Sequence, residues 1–274
     1  MMTAIPARIA GIVVLLLLLL GFDSIVWTPY PVNSLDVGAA MSGPGAAHWL
    51  GTDQLGRDVL SLSMKAVLTS FVVAAVAAAL GALIGIPLGF AAASWGRVAD
   101  FAVGGVRGYL GAVPAVATAA LLACLFGSSA ATAMVALGVA SIAPFATATR
   151  DTARAAGRQP YVAAARLAGS GGLDLVRRHT WPMLLPAWGA TATTQLAGGV
   201  LAEAALSYVG LGVQPPAASL GLLLRDAQAF AAAKPMLLLV PGATIIVLVL
   251  CLTLVARALH ATLAARAQIE AGDA

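Results

Sequence analysis

Six long apolar stretches constrain this chain more than any other feature. Each approaches or exceeds the roughly 20 residues that a helix needs to cross a bilayer. They lie near Ile9–Trp27, Ala66–Ser94, Tyr109–Phe126, Ala130–Thr149, Pro186–Tyr208 and Met236–Leu259. Of the 274 residues only 9% are charged, whereas soluble domains carry about a quarter. The pattern predicts an all-α membrane protein with about six transmembrane helices.

The distribution of arginine and lysine predicts the orientation of these helices. With a cytoplasmic N-terminus, the inner segments hold eleven basic residues and the outer segments hold four, namely Arg57, Lys65, Arg225 and Lys234. Cytoplasmic loops carry the excess of basic residues, so we expect both termini to be cytoplasmic. The net charge of +4 therefore follows from topology and does not indicate nucleic-acid binding. No clear cleavage site follows the first span, which favours a retained anchor over a signal peptide.

Three glycines of the second span recur every fourth residue. Gly81, Gly85 and Gly89 therefore lie on one helix face, and a face without side chains lets another backbone approach closely. The spacing favours tight helix packing over a second possibility, a substrate path along the glycines. In the fifth predicted span, Thr193 and Thr194 are small residues that either pack against other helices or line a substrate path.

Several chemistries lack the residues that they need. No glycine-rich phosphate loop precedes either lysine, so ATP-driven work requires a partner. The three histidines are predicted at different depths, so we expect no metal site and no catalytic residue, and we expect no cofactor. Asp23 and Glu203 are the acidic residues within the predicted spans. Both are predicted near the outer interface, where water can solvate a charged side chain. We therefore interpret them as interfacial polar residues, which disfavours proton-coupled transport.

The long inner loop between the fourth and fifth spans has an ordered pattern. Residues 161–167 are alanine-rich and should be helical. Gly169, Gly171 and Gly172 then allow a sharp turn, and a second short helix is predicted over 173–180. Two short helices at an angle, on the inner membrane face, suggest an element that docks into a groove of another protein.

This loop resembles the EAA loop of bacterial ABC-importer permeases, whose pattern is E-A-A, three residues, a glycine, nine residues and an I-x-L-P-like end. Ala164 and Ala165 match the two alanines, Gly169 matches the glycine, and residues 184–186 approximate the end. The dipeptide/oligopeptide/nickel branch, with YVEAARALGAS…RHILPN, is the most similar. Ala163 stands where that family has its glutamate, so one charged contact to an ATPase is missing. The resemblance implies that these residues couple the chain to an ATPase: Ala163, Ala164, Ala165, Arg166, Gly169, Leu173 and Arg178.

Two further segments resemble the C-type permease subunits of the same branch. Residues 48–61, HWLGTDQLGRDVLS, look like HPLGTDELGRDVLS, and residues 205–221 look like ALSFLGLGVQPPTPSWG. In the first segment we expect Asp53 to cap a helix and to pair with Arg57 at i,i+4. That segment either orients the second span or contacts an external binding protein or substrate. Its candidate site residues are Gly51, Thr52, Asp53, Gly56, Arg57 and Asp58.

The resemblance implies a type I ABC importer permease fold with cytoplasmic coupling helices, in the bacterial cytoplasmic (inner) membrane. It divides the chain into an N-terminal anchor with an outer segment (1–65), a permease core (66–260) with a coupling loop at 150–185, and a cytoplasmic tail (261–274). The implied partners are a second homologous permease, two ABC ATPase subunits, an extracytoplasmic solute-binding protein and membrane lipid.

The implied function is ATP-driven import of di- or oligopeptides by alternating access. Import of nickel or a metal chelate by the same fold is the nearest alternative. A passive channel and an intramembrane hydrolase belong to different classes. A hydrolase is disfavoured because no serine and base are predicted at one depth.

Overall fold

The computed structural model describes residues 4–32, 40–160, 162, 167 and 180–272. In this part of the chain the regular elements are helices, accompanied by one isolated bridge that pairs Thr52 with Asp58. We number the α-helices α1 to α8 in chain order. They are Ala4–Asp23, Val59–Ser94, Gly96–Ala112, Ala115–Phe126, Ala130–Gly157, Trp181–Val209, Leu220–Ala227 and Met236–Gly272.

Four of these helices, α1, α2, α5 and α8, are long and apolar enough to cross a membrane. The count rises to five if α3 and α4, which are bent by 80° at their junction, form one broken span. Helix α6 has 29 residues, which at 1.5 Å per residue gives about 43 Å, but it is less uniformly apolar than the other four. It covers the fifth predicted span.

The third predicted span is not a straight helix, and this corrects the sequence prediction for residues 109–126. Helix α3 begins at Gly96, inside the segment predicted as an inner loop, and ends at Ala112. Val113 is extended and Pro114 is the N-cap of α4. The proline disfavours a helical conformation at the preceding residue, so the break occurs there. Helix α4 has 12 residues and is too short to cross a bilayer by itself.

The central packing contact joins α2 and α5, the most extensive helix pair in the described structure. A Cβ on Gly85 would lie 2.5 Å from the Ile142 carbonyl oxygen, and one on Gly89 would lie 2.5 Å from that of Ala146. A Cβ on Gly81 would collide with Ser141. The glycine face of α2 is therefore covered by the α5 backbone. This confirms the packing interpretation and excludes a substrate path along that face.

Candidate functional site

The segment over residues 48–61, which we call the outer motif, folds into a turn centred on Asp53. The Asp53 Oδ1 atom accepts hydrogen bonds from the backbone N–H groups of Leu55 and Arg57, at 2.8 and 2.9 Å. The Arg57 Nε and Nη2 atoms both donate to Asp53 Oδ2, at 2.7 Å each. The predicted i,i+4 ion pair is present, but it closes a loop and does not lie in a helix.

Asp58, and not Asp53, caps the helix that follows. Helix α2 begins at Val59, and the Asp58 Oδ2 atom accepts from both the backbone N–H and the hydroxyl of Ser61, each at 2.8 Å. Its other oxygen lies 3.0 Å from His48 Nδ1. The sequence did contain this information, because Asp58 directly precedes the continuous apolar run and is a preferred N-cap residue. The expected role of Asp53 is therefore corrected to that of a turn residue.

The remaining members of the outer motif fix its backbone. Gly51 and Gly56 have positive φ angles of 79° and 76°, a conformation that favours glycine. A Cβ on Gly51 would also lie 2.5 Å from the Ser42 carbonyl oxygen. Thr52 is 1% exposed, and its hydroxyl oxygen accepts from the Ser42 backbone N–H at 2.9 Å. The polar side chains of the motif are thus mostly engaged inside the fold.

The structure places the outer motif and the start of α2 against α7 and the start of α8, although these elements are about 150 residues apart along the chain. The Leu220 backbone N–H donates to the Ser70 hydroxyl in α2 at 3.1 Å. Val59, at the start of α2, packs in one buried cluster with Ala227 and Leu237. Helix α7 and the start of α8 therefore pack against the outer motif.

Glu203 in α6 lies in a different environment from the one predicted. It is 0% exposed, so it is not a solvated interfacial residue. Its Oε1 atom accepts from the Ser207 hydroxyl at 2.6 Å, while its Oε2 atom has no hydrogen-bond partner among the described residues. The Ser207 oxygen in turn accepts from the Val213 backbone N–H at 2.9 Å. Glu203 is therefore linked through Ser207 to the segment that follows α6.

The residues expected to couple the chain to an ATPase lie outside the described residues. These are Ala163, Ala164, Ala165, Arg166, Gly169, Leu173 and Arg178. Two neighbours in the same segment are described: Val162 is buried at 3% exposure, whereas Leu167 is 91% exposed.

An ion-pair cluster fixes the helix ends from which this segment departs. Arg150 Nη2 in α5 donates to Asp100 Oδ2 in α3 at 2.9 Å, and Arg154 Nη2 lies 3.1 Å from the same oxygen. Arg154 also donates to the Ala92 carbonyl oxygen in α2 at 3.0 Å. The cluster joins the ends of three helices at the predicted cytoplasmic side.

Residues 85–268 match the family described as binding-protein-dependent transport system inner membrane component. The chain belongs to this family. It is a permease subunit of an ABC importer, a multi-pass component of the inner membrane without an ATPase site of its own. Membership implies ATPase and binding-protein partners. The matched range includes the coupling loop and the second outer-face motif.

Among its relatives, a protein of Brucella suis biovar 1 (strain 1330) assigned as a peptide permease is 32% identical over 96% of this chain and 88% of its own length. The nickel transport system permease protein NikC of Escherichia coli (strain K12) is 28% identical, over 92% of this chain and 91% of its own. The glutathione transport system permease protein GsiD of Pectobacterium atrosepticum is 29% identical, with coverages of 89% and 82%. These relatives confirm the peptide/nickel branch.

A solved structure gives the same fold. A chain of the MetNI methionine ABC transporter, in an inward-facing conformation, superposes with a TM-score of 0.57 at 20% identity. The superposition covers 73% of this chain and 95% of that one. The ABC importer permease fold predicted from the sequence is thereby confirmed.

Proposed function

We propose that this chain moves di- or oligopeptides across the cytoplasmic membrane, as one of two homologous permeases served by two ATPase subunits and a solute-binding protein. The observation that carries the proposal is the match of residues 85–268 to the importer family, together with a relative assigned as a peptide permease that aligns with 96% of the chain. The chain itself makes and breaks no covalent bond. Its work is a coupling between conformations.

The mechanism we propose is alternating access driven through the loop over residues 150–185. ATP-driven closure of the ATPases would move this loop. The ion pairs of Asp100 with Arg150 and Arg154 would pass the displacement to α2, α3 and α5. Both termini are cytoplasmic in this proposal.

The coupling is tested by deleting residues 163–172 from the chain in the complete complex. We expect the deletion to release the ATPase subunits during affinity purification, while the second permease stays bound. A deletion of equal length at the C-terminus, residues 265–274, is the control and should retain the ATPases. Retention of the ATPases by the first deletion would contradict a coupling role for this loop.

Nickel or metal-chelate import is the second candidate, because NikC of Escherichia coli is 28% identical over 92% of this chain. Uptake of labelled substrates by cells with and without the chain distinguishes peptide import from nickel import. Chain-dependent uptake of labelled dialanine supports peptide import. Chain-dependent uptake of labelled nickel alone would contradict peptide import and favour the alternative.

A further inference from the structure

Two connected grooves open between the helices around Thr194 of α6 and His260 of α8. The first, of about 490 Å³, lies between α6 and α8. The second, of about 560 Å³, lies among α3, α5, α6 and α8. Both are lined by Thr194 of α6 and His260 of α8. The His260 Nε2 atom lies 3.4 Å from the Thr194 hydroxyl oxygen, so this pair marks the junction of the two grooves.

Small and hydroxyl-bearing side chains form much of the walls of these grooves, and the charged residue among their described lining residues is Arg257. Thr147, Thr191, Gly198 and Thr253 contribute small or hydroxyl-bearing positions. Arg257 lines the first groove beside His260, and no aspartate or glutamate is found among the described lining residues of either groove. The local field therefore favours an anionic occupant.

Arg257 is the group best able to bind such an occupant. It is exposed, and no described carboxylate or other acceptor pairs with its guanidinium. The threonines that line the first groove already donate hydrogen bonds within their own helices: Thr194 to the Ala190 carbonyl oxygen at 2.9 Å, and Thr253 to that of Val249 at 2.7 Å. The donors left for a ligand in the first groove are thus the arginine and the histidine. A guanidinium offers a planar pair of N–H groups that matches a carboxylate.

A second arginine lies near the other groove. Gly111 of α3 lines that groove, and Arg107 lies one helical turn earlier on the same face. The Nε and Nη1 atoms of Arg107 are buried without a hydrogen-bond partner among the described residues. Buried unpaired donors are costly, and an anion in this part of the molecule would reduce that cost.

We propose that these grooves form the predicted cytoplasmic half of the substrate path and that Arg257, with His260, binds a carboxylate group of the transported solute there. The inference rests on the proposed function and adds the ligand chemistry and the residues. The carboxylate belongs either to a free peptide C-terminus or to the organic part of a metal chelate. In both cases it passes Arg257 on its way to the cytoplasm.

The first test measures the local field and needs no transport. Thr194→Cys is introduced after Cys124 and Cys251 are replaced by alanine, and the complete transporter is studied in inside-out vesicles without nucleotide. Rates of thiol modification are compared for an anionic and a cationic methanethiosulfonate reagent of similar size. We expect Arg257→Gln to lower the anionic-to-cationic rate ratio about threefold or more. Arg97→Gln, which removes an exposed charge of α3 outside the grooves, should leave the ratio unchanged.

The second test uses protection of the same cysteine by defined ligands. We expect dialanine or a nickel–citrate chelate to slow the modification, and dialanine amide, which has no carboxylate, to have little effect. Arg257→Gln should weaken protection by about three- to tenfold, and Arg257→Lys should weaken it less. Protection by dialanine assigns the carboxylate to a peptide, and protection by the chelate alone assigns it to a metal complex.

Four results would overturn the carboxylate site. In the first test these are a cysteine at position 194 that neither reagent modifies, or a rate ratio that is unchanged by Arg257→Gln. In the second test they are equal protection by dialanine and dialanine amide, or no protection by any ligand. Each would leave Arg257 as a charge that serves only topology or lipid contact. Copurification of the ATPases is recorded in the same preparations. If they copurify while the site fails, only this inference is lost. If they do not, the proposed function fails regardless of the rates.

Discussion

At the scale of single residues, the buried carboxyl of Glu203 shows how a polar group can be buried where the sequence does not predict it. Glu203 lies toward the C-terminal end of α6, but the sequence could not reveal that residues 210–221 fold back over that end. Gly221 packs so closely on Ala204 that any Cβ would collide with its backbone. The burial of Glu203 depends on this long-range contact, which no local pattern encodes.

The Glu203 contact leads to a stability prediction. Glu203→Ala removes the acceptor of the Ser207 hydroxyl and leaves a small cavity, so we expect a loss of about 1–3 kcal/mol in the free energy of unfolding. Glu203→Gln keeps an acceptor at Oε1, so it should cost clearly less. Thermal unfolding of the purified complex in detergent measures both losses. Equal losses for the two variants would contradict a role for the hydrogen bond between Ser207 and Oε1 in stability.

Within the outer motif, Trp49 and Leu55 are 73% and 45% exposed, whereas Thr52, Asp53 and Asp58 are buried. If this face contacts the binding protein, the exposed residues must carry the contact. We expect Trp49→Ala to reduce binding-protein stimulation of ATP hydrolysis severalfold, with unstimulated hydrolysis unchanged. The exposed Trp95→Ala, at the other end of α2, serves as the control. If the binding protein stimulates ATP hydrolysis normally in the Trp49→Ala variant, the role of the outer motif is limited to orienting α2.

At the scale of elements, regular features were predicted well and interruptions poorly. The four-residue spacing of Gly81, Gly85 and Gly89 predicted a close helix contact, because it follows directly from helix geometry. The bend between α3 and α4 was missed although Pro114 is visible in the sequence. Apolar composition continues across the proline, and composition cannot distinguish one span from two short helices at an angle of 80°. The coupling residues lie outside the described part, so their predicted placement stays a prediction.

The α2–α5 contact can be tested with a pair of glycine substitutions. A Cβ at position 85 would be 2.5 Å from a carbonyl oxygen and 2.8 Å from the Phe145 Cβ. Gly85→Ala should therefore force the helices apart and cost about 1–3 kcal/mol. A Cβ on Gly104 of α3 would meet no described atom within 4 Å, so Gly104→Ala should be neutral or stabilise the helix by up to about 1 kcal/mol. Thermal unfolding measures the stability of both variants. An unchanged stability of the Gly85→Ala variant would contradict the close approach of α2 and α5.

At the scale of the whole molecule, the chain joins the outer motif to a loop that is expected to meet the ATPases. The outer motif, α7 and the start of α8 are tied together by buried contacts, and the other helix ends are tied by ion pairs of Asp100. Between them, α2 and α5 are in backbone contact at Gly85 and Gly89. We therefore expect the packed helices to transmit a displacement from one end to the other, since packed interiors transmit strain.

The strength of the link to the ATPases is the step most open to measurement, because Ala163 replaces the glutamate of related permeases. If the family glutamate contributes a charged contact, Ala163→Glu should raise ATPase retention by up to about fivefold at low salt. The gain should shrink as salt rises, since exposed ion pairs are screened. The glutamine of Ala163→Gln has nearly the same shape as glutamate but no charge. This variant should therefore show neither the gain in ATPase retention nor its dependence on salt. ATPase retention is measured for both variants by affinity purification across a series of salt concentrations. An equal gain from the glutamine variant would attribute the effect to side-chain shape and not to charge.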